Sequence, residues 1–297
     1  MHLFVTGGSG LIGSHLIASR PQDQITVLTR QRELKLNHPN YQLLHNLDHI
    51  PNLDFADAVV NLAGEPLVGR RWTAATRTAL WDSRVGTTAR LVELMRAGGS
   101  PPASFLSGSA IGIYGDTGNS QVSEEQLLEE DPTDFAQQLC FAWEQTALQS
   151  AELTRVVLLR TSVVLAQSGG ALAKMLPMFR LGLGGRLGSG RQHFSWIHIQ
   201  DLVAILNWLL DSSHCRGPVN LVAPNPVTNN QFTAALARAC HRPALLPVPA
   251  WLLRLVLGQA SQLLLDSQAV LPRVLLQYHF HFSFPELDAA LADLLND

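Results

Sequence analysis

Short apolar runs alternate with stretches of helical period through the first two thirds of the chain. Residues 3–6 read as a strand and 11–19 as a helix. Further strands are expected at 25–29, at 43–44 as a short third, and at 58–62 behind the acid-rich 54–57. A fifth follows at 103–107 and a sixth at 154–159. Between them, 73–96 reads as one long helix holding a single glycine, Gly86. Residues 134–150 read as another, with Thr133 or Asp131 as its cap. Strands that alternate with helices in this way predict a parallel, doubly wound α/β sheet of Rossmann type with helices on both faces.

After about residue 165 the rhythm loosens. A strand is expected at 195–199, a helix at 201–210, a strand at 219–222, and a helix running from a Thr228 cap to Cys240. The tail from Arg242 is rich in leucine and proline and predicts a small helical appendage ending at 285–295. The run His279-Phe280-His281-Phe282 alternates as a strand would. The expected division is 1–165 for the nucleotide-binding part, with its sheet and substrate lobe continuing to about 240. Residues 166–242 supply substrate-lobe segments, and 243–297 form a small C-terminal helical domain.

The turn after the first strand changes this from a fold class to a site. It reads Val5-Thr6-Gly7-Gly8-Ser9-Gly10-Leu11-Ile12-Gly13. Glycines at 7, 10 and 13 between a strand and a helix allow a tight bend, a close approach to a pyrophosphate, and close helix packing. The helix that follows offers free N–H groups and a positive dipole end to phosphates. In such folds the end of the second strand meets the adenosine ribose, and an acid there selects NAD. Here it reads Val27-Leu28-Thr29-Arg30 with Arg32 close behind, and no acid stands in the slot. A guanidinium suits a 2′-phosphate, so NADP is the expected cofactor. Asn61-Leu62-Ala63-Gly64 ends the fourth strand; Asn61 either borders the adenosine or ties strands together.

Composition narrows the partners. The 297 residues are 46% hydrophobic and only 15% charged, with net charge −3. That favours a small-molecule substrate over nucleic acid or an anionic membrane surface. Three cysteines, Cys140, Cys215 and Cys240, lack metal spacing, and no His-Glu-x-x-His pattern occurs, so no metal is expected. No apolar run reaches about 18 residues, so no spanning helix is expected. With Met1 leading directly into the first strand, the expected location is the cytoplasm.

Taken together, the glycine turn, Asn61 to Gly64, Ser107-Gly108-Ser109-Ala110 followed by Tyr114-Gly115, and Trp196-Ile197-His198-Ile199 before Asp201 resemble an extended short-chain dehydrogenase/reductase. Arg71-Trp72-Thr73, Asp82-Ser83-Arg84, 177–185 and 188–201 are similar to segments of its sugar-nucleotide epimerase-like branch, which has atypical active sites. The tail from about Pro243 resembles that branch's small C-terminal domain of unknown function. The resemblance implies that Thr29, Arg30, Leu62, Ala63, Arg84 and Val164 line the NADP site, and that similar proteins are commonly homodimers. Arg84 also reads as a helix-surface cation paired with a nearby acid.

Active members of the superfamily carry a Tyr-x-x-x-Lys pair on one helix. The lysine lowers the pKa of the phenol, which is otherwise about 10. This chain has only Tyr41, Tyr114 and Tyr278, and only Lys35 and Lys174, so the pair is absent. Aligning Glu144 with the glutamate that usually follows the pair puts Ala136 at the tyrosine position and Cys140 at the lysine position. Ser109 resembles the serine that orients a substrate carbonyl, and Tyr114 stands one residue farther on than usual. Ser109 and Tyr114 are therefore the catalytic candidates, with no cation evident beside Tyr114; the other reading of Tyr114 is an aromatic lid. Cys140 reads as core rather than nucleophile, and His198 as a structural histidine rather than a base. The glycine-rich 182–190 loop with Arg186 and Arg191 either meets a phosphorylated or nucleotide-linked substrate or forms a flexible lid. Two functions follow from the resemblance. One is an NADP-dependent oxidoreductase or epimerase on a small polar or sugar-nucleotide substrate. The other is an NADP-binding sensor or scaffold with little or no turnover.

Overall fold

The computed structural model describes residues 1–69, 71–129 and 132–295. The chain begins with β1 (His2–Thr6), α1 (Leu11–Ala18), β2 (Gln24–Leu28), β3 (Tyr41–Leu44) and β4 (Ala58–Asn61). α2 (Ala74–Trp81) runs through a single π-turn, Asp82–Gly86, into α3 (Thr87–Ala97). β5 (Ser104–Ala110) ends in a 3-10 turn, Ile111–Tyr114, and is followed by β6 (Gln121–Val122), α4 (Phe135–Leu148) and β7 (Arg155–Thr161). β8 (Val163–Ala166), α5 (Gly170–Arg180), β9 (His193–Phe194), β10 (Trp196–His198), α6 (Ile199–Asp211), β11 (Gly217–Leu221), β12 (Val227–Thr228) and α7 (Asn229–Ala239) come next. The tail holds α8 (Ala250–Leu257), α9 (Gln262–Leu265), β13 (Ala269–Val270), α10 (Arg273–Gln277) and α11 (Leu287–Leu295).

Seven parallel strands form the central sheet in the order β11-β7-β5-β4-β1-β2-β3. Side chains of a strand point alternately to opposite faces. Leu3 and Val5 accordingly join Leu16, Ile17, Leu202 and Leu206 from α1 and α6, whereas Phe4 joins Leu91, Met95 and Ala147 from α3 and α4. The sheet is thus buried on both sides, as its near-continuous apolar strands require.

Several boundaries differ from the sequence reading for identifiable reasons. The helix expected at 73–96 widens at Asp82–Gly86, where the Thr88 hydroxyl donates to the Arg84 carbonyl at 2.7 Å. α4 is capped by Asp134, whose Oδ1 accepts from the N–H groups of Ala136 and Gln137. Of the two caps expected there, Thr133 is not the cap and Asp131 lies outside the described residues. The strand expected at 195–199 leaves the main sheet and pairs with β8. Residues 279–282 form no strand; Phe282 is buried in the core of the central sheet and Phe280 packs beside it against Trp208. The tail is also less purely helical than expected, since β13 pairs in parallel with β6. No helix among the described residues is long and apolar enough to cross a membrane.

Candidate functional site

The turn from β1 to α1 is built so that only glycine fits at two of its corners. Gly7 has φ +70°, and a Cβ there would lie 2.5 Å from the Leu62 carbonyl oxygen. A Cβ on Gly13 would lie 2.5 Å from the Gly7 carbonyl oxygen, so α1 sits directly on the turn. Gly10, with extended backbone, stands at the N-cap and offers no side chain to the first N–H groups of α1. Those donors and the positive end of the helix dipole are left at the C-terminal ends of the parallel strands, where Ser9 and Gly10 are exposed. Gly8 packs on Val27, Leu11 lies against Gly169 and Gly170 at the start of α5, and Ile12 joins the core flank. Val164, on β8 beside that start, pairs with Ile197. The arrangement fits a dinucleotide diphosphate: a cradle that a Cβ would fill, backed by uncapped donors.

Two neighbouring strand ends complete the cradle. Thr29 is buried after β2, and its hydroxyl accepts from the Gln31 N–H at 3.2 Å. Arg30 projects into solvent, 89% exposed, and its Nη2 donates to Glu65 Oε1 at 2.8 Å. Glu65 follows Leu62, Ala63 and Gly64 at the end of β4, so an acid does stand near the ribose position, although not on the strand where one was sought. Ala63 N–H donates to Thr6 Oγ1. Gly64 lies under the Arg84 guanidinium; a Cβ there would meet its Cζ at 2.8 Å. The alternative of Arg84 as a surface cation is overturned. The side chain is 8% exposed, donates to the Glu65 carbonyl at 3.0 Å, and lies 5.5 Å over the Trp143 ring. Asn61 resolves toward the structural tie: Thr6 Oγ1 donates to its Oδ1 at 2.6 Å and its Nδ2 donates to Thr88 Oγ1 at 2.8 Å.

Behind this cradle lies a buried polar chain. The Ser109 hydroxyl donates to Glu144 Oε1 at 2.7 Å. Arg160 grips the same carboxylate with two bonds, Nε to Oε1 and Nη2 to Oε2, each 2.8 Å, and both side chains are 4% exposed. Arg160 Nη1 donates to the Tyr114 hydroxyl at 2.8 Å, which in turn donates to Asn220 Oδ1 at 2.8 Å. The expectation that Tyr114 has no cation beside it is therefore corrected. β5 and β7 pair so that Ser109 lies opposite Arg160, which brings a residue remote in sequence onto the phenol. A lone arginine closing the apolar run 156–159 was the available signal, since a buried cation must find a partner. Burial pushes the Tyr114 phenol up, against the opposing pull of Arg160.

The positions where a tyrosine and a lysine would stand are filled by packing. Ala136 clusters with Trp72, Leu139 and Ala260, and Cys140 with Ile111, Ile113 and Val222. Burial pushes the Cys140 thiol up to about 12, so it holds its proton at neutral pH. His198 is fully buried. Its Nδ1 accepts from the Gln200 N–H at 3.1 Å, its Nε2 lies 3.2 Å from Asp293 Oδ2, and its ring stacks on Phe284 at 4.0 Å. Burial holds its pKa below the ordinary value. Among the described residues no group of three His, Cys, Asp or Glu side chains is placed to hold a metal. Arg186 of the glycine-rich loop lines an open cleft of about 590 Å³ with Asn230, Arg238 and Leu245, away from the glycine turn. Arg191 is exposed.

Residues 3–221 match the family model described as the NAD dependent epimerase/dehydratase family, and residues 248–294 match a domain of unknown function, DUF1731. An epimerase family protein of Staphylococcus saprophyticus is 39% identical over 303 residues, covering 99% of both chains. The crystal structure of a human epimerase family protein, SDR39U1 isoform 2, with NADPH superposes with a TM-score of 0.91 at 34% identity over 100% of both chains. A nucleoside-diphosphate sugar epimerase from Corynebacterium glutamicum superposes with a TM-score of 0.77 at 30% identity, covering 99% of this chain and 58% of that one.

Proposed function

The chain belongs to the NAD dependent epimerase/dehydratase family, and from that premise we propose that it binds NADP(H) and works as an oxidoreductase or epimerase on a small polar or sugar-nucleotide substrate. One observation carries the coenzyme part: the glycine cradle opens onto an uncapped helix N-terminus, with a solvent-facing arginine at the end of β2. Gly7 to Gly13 would hold the diphosphate, Thr29 and Arg30 the adenosine ribose and its phosphate, and Leu62 to Gly64 with Arg84 and Val164 the remaining walls. The NADPH of the human relative supports the choice of NADP. When bound, the coenzyme supplies or accepts a hydride at its nicotinamide. Arg160 fixes the Glu144 carboxylate, which holds Ser109; Arg160 also fixes Tyr114. These two hydroxyls are the proton carriers of the proposal.

A second reading is favoured by a specific observation. The Ser109 and Tyr114 hydroxyl protons are both donated to acceptors inside the protein, and the vacated Tyr/Lys positions are apolar. That suits a coenzyme-binding protein with little turnover. Hydride transfer to or from NADP(H) against keto sugars and sugar nucleotides separates the two. Turnover that falls in Tyr114→Phe or Ser109→Ala supports the enzyme with these carriers. Turnover indifferent to both removes the carriers, and absence of turnover with coenzyme binding intact selects the second reading.

A further inference from the structure

Exposed apolar side chains are unevenly spread over this molecule. Many gather on two stretches: Leu181 and Leu183 after α5, and Leu245, Trp251, Leu255 and Val256 in and before α8. Leu245 is 75% exposed and Trp251 65%, and α8 buries none of its residues. The two stretches form one face. Leu183 bridges to Ala244, Leu246 N–H donates to the Gly184 carbonyl at 3.1 Å, and Val248 N–H donates to the Arg186 carbonyl at 2.8 Å.

The segments that supply this face are basic, which the overall net charge of −3 conceals. Residues 170–200 and 212–265 contain eight of the 21 basic side chains and none of the 24 acids. Arg180, Arg186, Arg242 and Arg254 form no ion pair among the described residues. Arg238 is held by Asp288 at 2.7 Å, and Asp266 lies within electrostatic reach of Arg254, so two of the eight are partly compensated. Arg242 Nε donates to the Arg180 backbone carbonyl, which holds the Arg242 guanidinium at the end of α5, just before Leu181.

We propose that this face docks the protein peripherally on an anionic lipid bilayer, with Trp251 and Leu255 entering the boundary between headgroups and acyl chains and the free arginines meeting lipid phosphates. Tryptophan and leucine on a short helix that carries arginine and no acid of its own is the composition that lies in a bilayer interface. The complementarity is of charge as well as of polarity, because cytoplasmic and bacterial leaflets present phosphate-bearing anions to such a patch. A second copy of the chain is a poorer occupant, since pairing would set one arginine-rich face against another. The expectation that whole-chain charge disfavours an anionic surface is set aside here, because the acid excess lies outside these two segments.

The test uses the full chain in co-sedimentation with phosphatidylcholine vesicles, with or without phosphatidylglycerol, at low and high salt. Partition onto the phosphatidylglycerol vesicles is expected to exceed that onto phosphatidylcholine by about fivefold per engaged arginine, and to fall as salt rises. Trp251→Ser with Leu255→Ser is expected to lower it by about tenfold or more. Arg180→Gln with Arg242→Gln is expected to remove most of the preference for the anionic lipid. Thermal melting checks that each variant is folded. The proposal is overturned by equal partition onto both vesicles, or by partition that the Trp251 and Leu255 changes leave untouched. It is also overturned by tighter binding to poly-glutamate than to the anionic vesicles, or by a lipid-free dimer that Trp251→Ser dissociates.

Discussion

Arg30 offers the sharpest test of the proposed coenzyme site, because among the described residues its side chain pairs with Glu65 alone. It is 89% exposed and donates 2.8 Å to Glu65. In NADPH a guanidinium at this place would form a charge-assisted pair with the 2′-phosphate. Such bonds contribute about 1.5–3 kcal/mol when sheltered. Solvent screening at this exposure cuts the figure to about 1–2 kcal/mol. Arg30→Ala should therefore weaken NADPH by about 5- to 30-fold. Arg30→Asp adds repulsion between the new carboxylate and the phosphate, about 1 kcal/mol more, so a loss of roughly 30- to 160-fold is expected. NADH has a hydroxyl in place of that phosphate, which an aspartate accepts from, so its affinity should move by less than about threefold. Glu65→Gln should act in the opposite direction and tighten NADPH by about two- to fivefold, because it frees Arg30 from an exposed ion pair. Reduced-coenzyme fluorescence titrations at two salt concentrations measure all of this. Equal losses for NADPH and NADH in Arg30→Asp, or no preference for NADPH in the unaltered protein, would refute the assignment of the 2′-phosphate to Arg30.

Three further outcomes are expected. Gly7→Ala should cost about 2–4 kcal/mol in urea unfolding and abolish coenzyme binding, because the φ of +70° and the Leu62 carbonyl at 2.5 Å add. Gly118→Ala, at φ +58° with open space around it, should cost only about 1 kcal/mol; equal losses would show that the clash at Gly7 is relieved. Arg160→Met leaves the Glu144 carboxylate buried without its partner and should cost about 3–5 kcal/mol, most of it recovered when Glu144→Leu is added; additive losses in the double variant would contradict this. Asp266 has its pKa raised to about 6, by burial first and then by Asp116 and Asp134. Its ionised form therefore opposes folding: the penalty is full above about 6, shrinks as pH falls below 6 and the folded state takes up its proton, and is gone only below the ordinary carboxyl value of 3.8. Asp266→Asn should raise the melting temperature most at pH 7.5, less at pH 4.5 and hardly at all at pH 3; the reverse order would show that the carboxylate is stabilising.

What the chain reveals locally and what it withholds divide along sequence separation. The glycine turn, α1 and the inner strands β1, β2, β4 and β5 were legible because each depends on neighbours a few residues away: a period of two, a bend, a helix start. β8 was not, because Ser162 alone separates it from β7, and no turn signal marks where the chain leaves one sheet for another. β6 and β13 are two residues each, and their pairing is a long-range event with no local signature. Arg30 with Glu65 and Tyr114 with Arg160 escaped for the same reason. Both pairs join strand ends that become neighbours only when the register of the sheet is known.

The site that results is asymmetric in a way that bears on the chemistry. Its glycine turn keeps a cradle that a Cβ would fill and a helix N-terminus with no side-chain cap. Its proton half is a closed circuit in which Ser109 donates to Glu144, Arg160 neutralises Glu144 and donates to Tyr114, and Tyr114 donates to Asn220. A general acid must give up its proton to substrate and recover it from water. Burial pushes the phenol of Tyr114 up and the thiol of Cys140 to about 12, so neither group releases a proton readily near neutrality. The place where the resemblance would put a tyrosine is taken by Ala136, which clusters with Trp72, Leu139 and Ala260. The Arg71 side chain reaches the Leu255 and Val256 carbonyls at the end of α8, which ties the residue before Trp72 to the C-terminal part of the chain. With an alanine there and a thiol that keeps its proton at Cys140, a proton for substrate has to pass through Ser109 or Tyr114, and each must first give up the acceptor it holds.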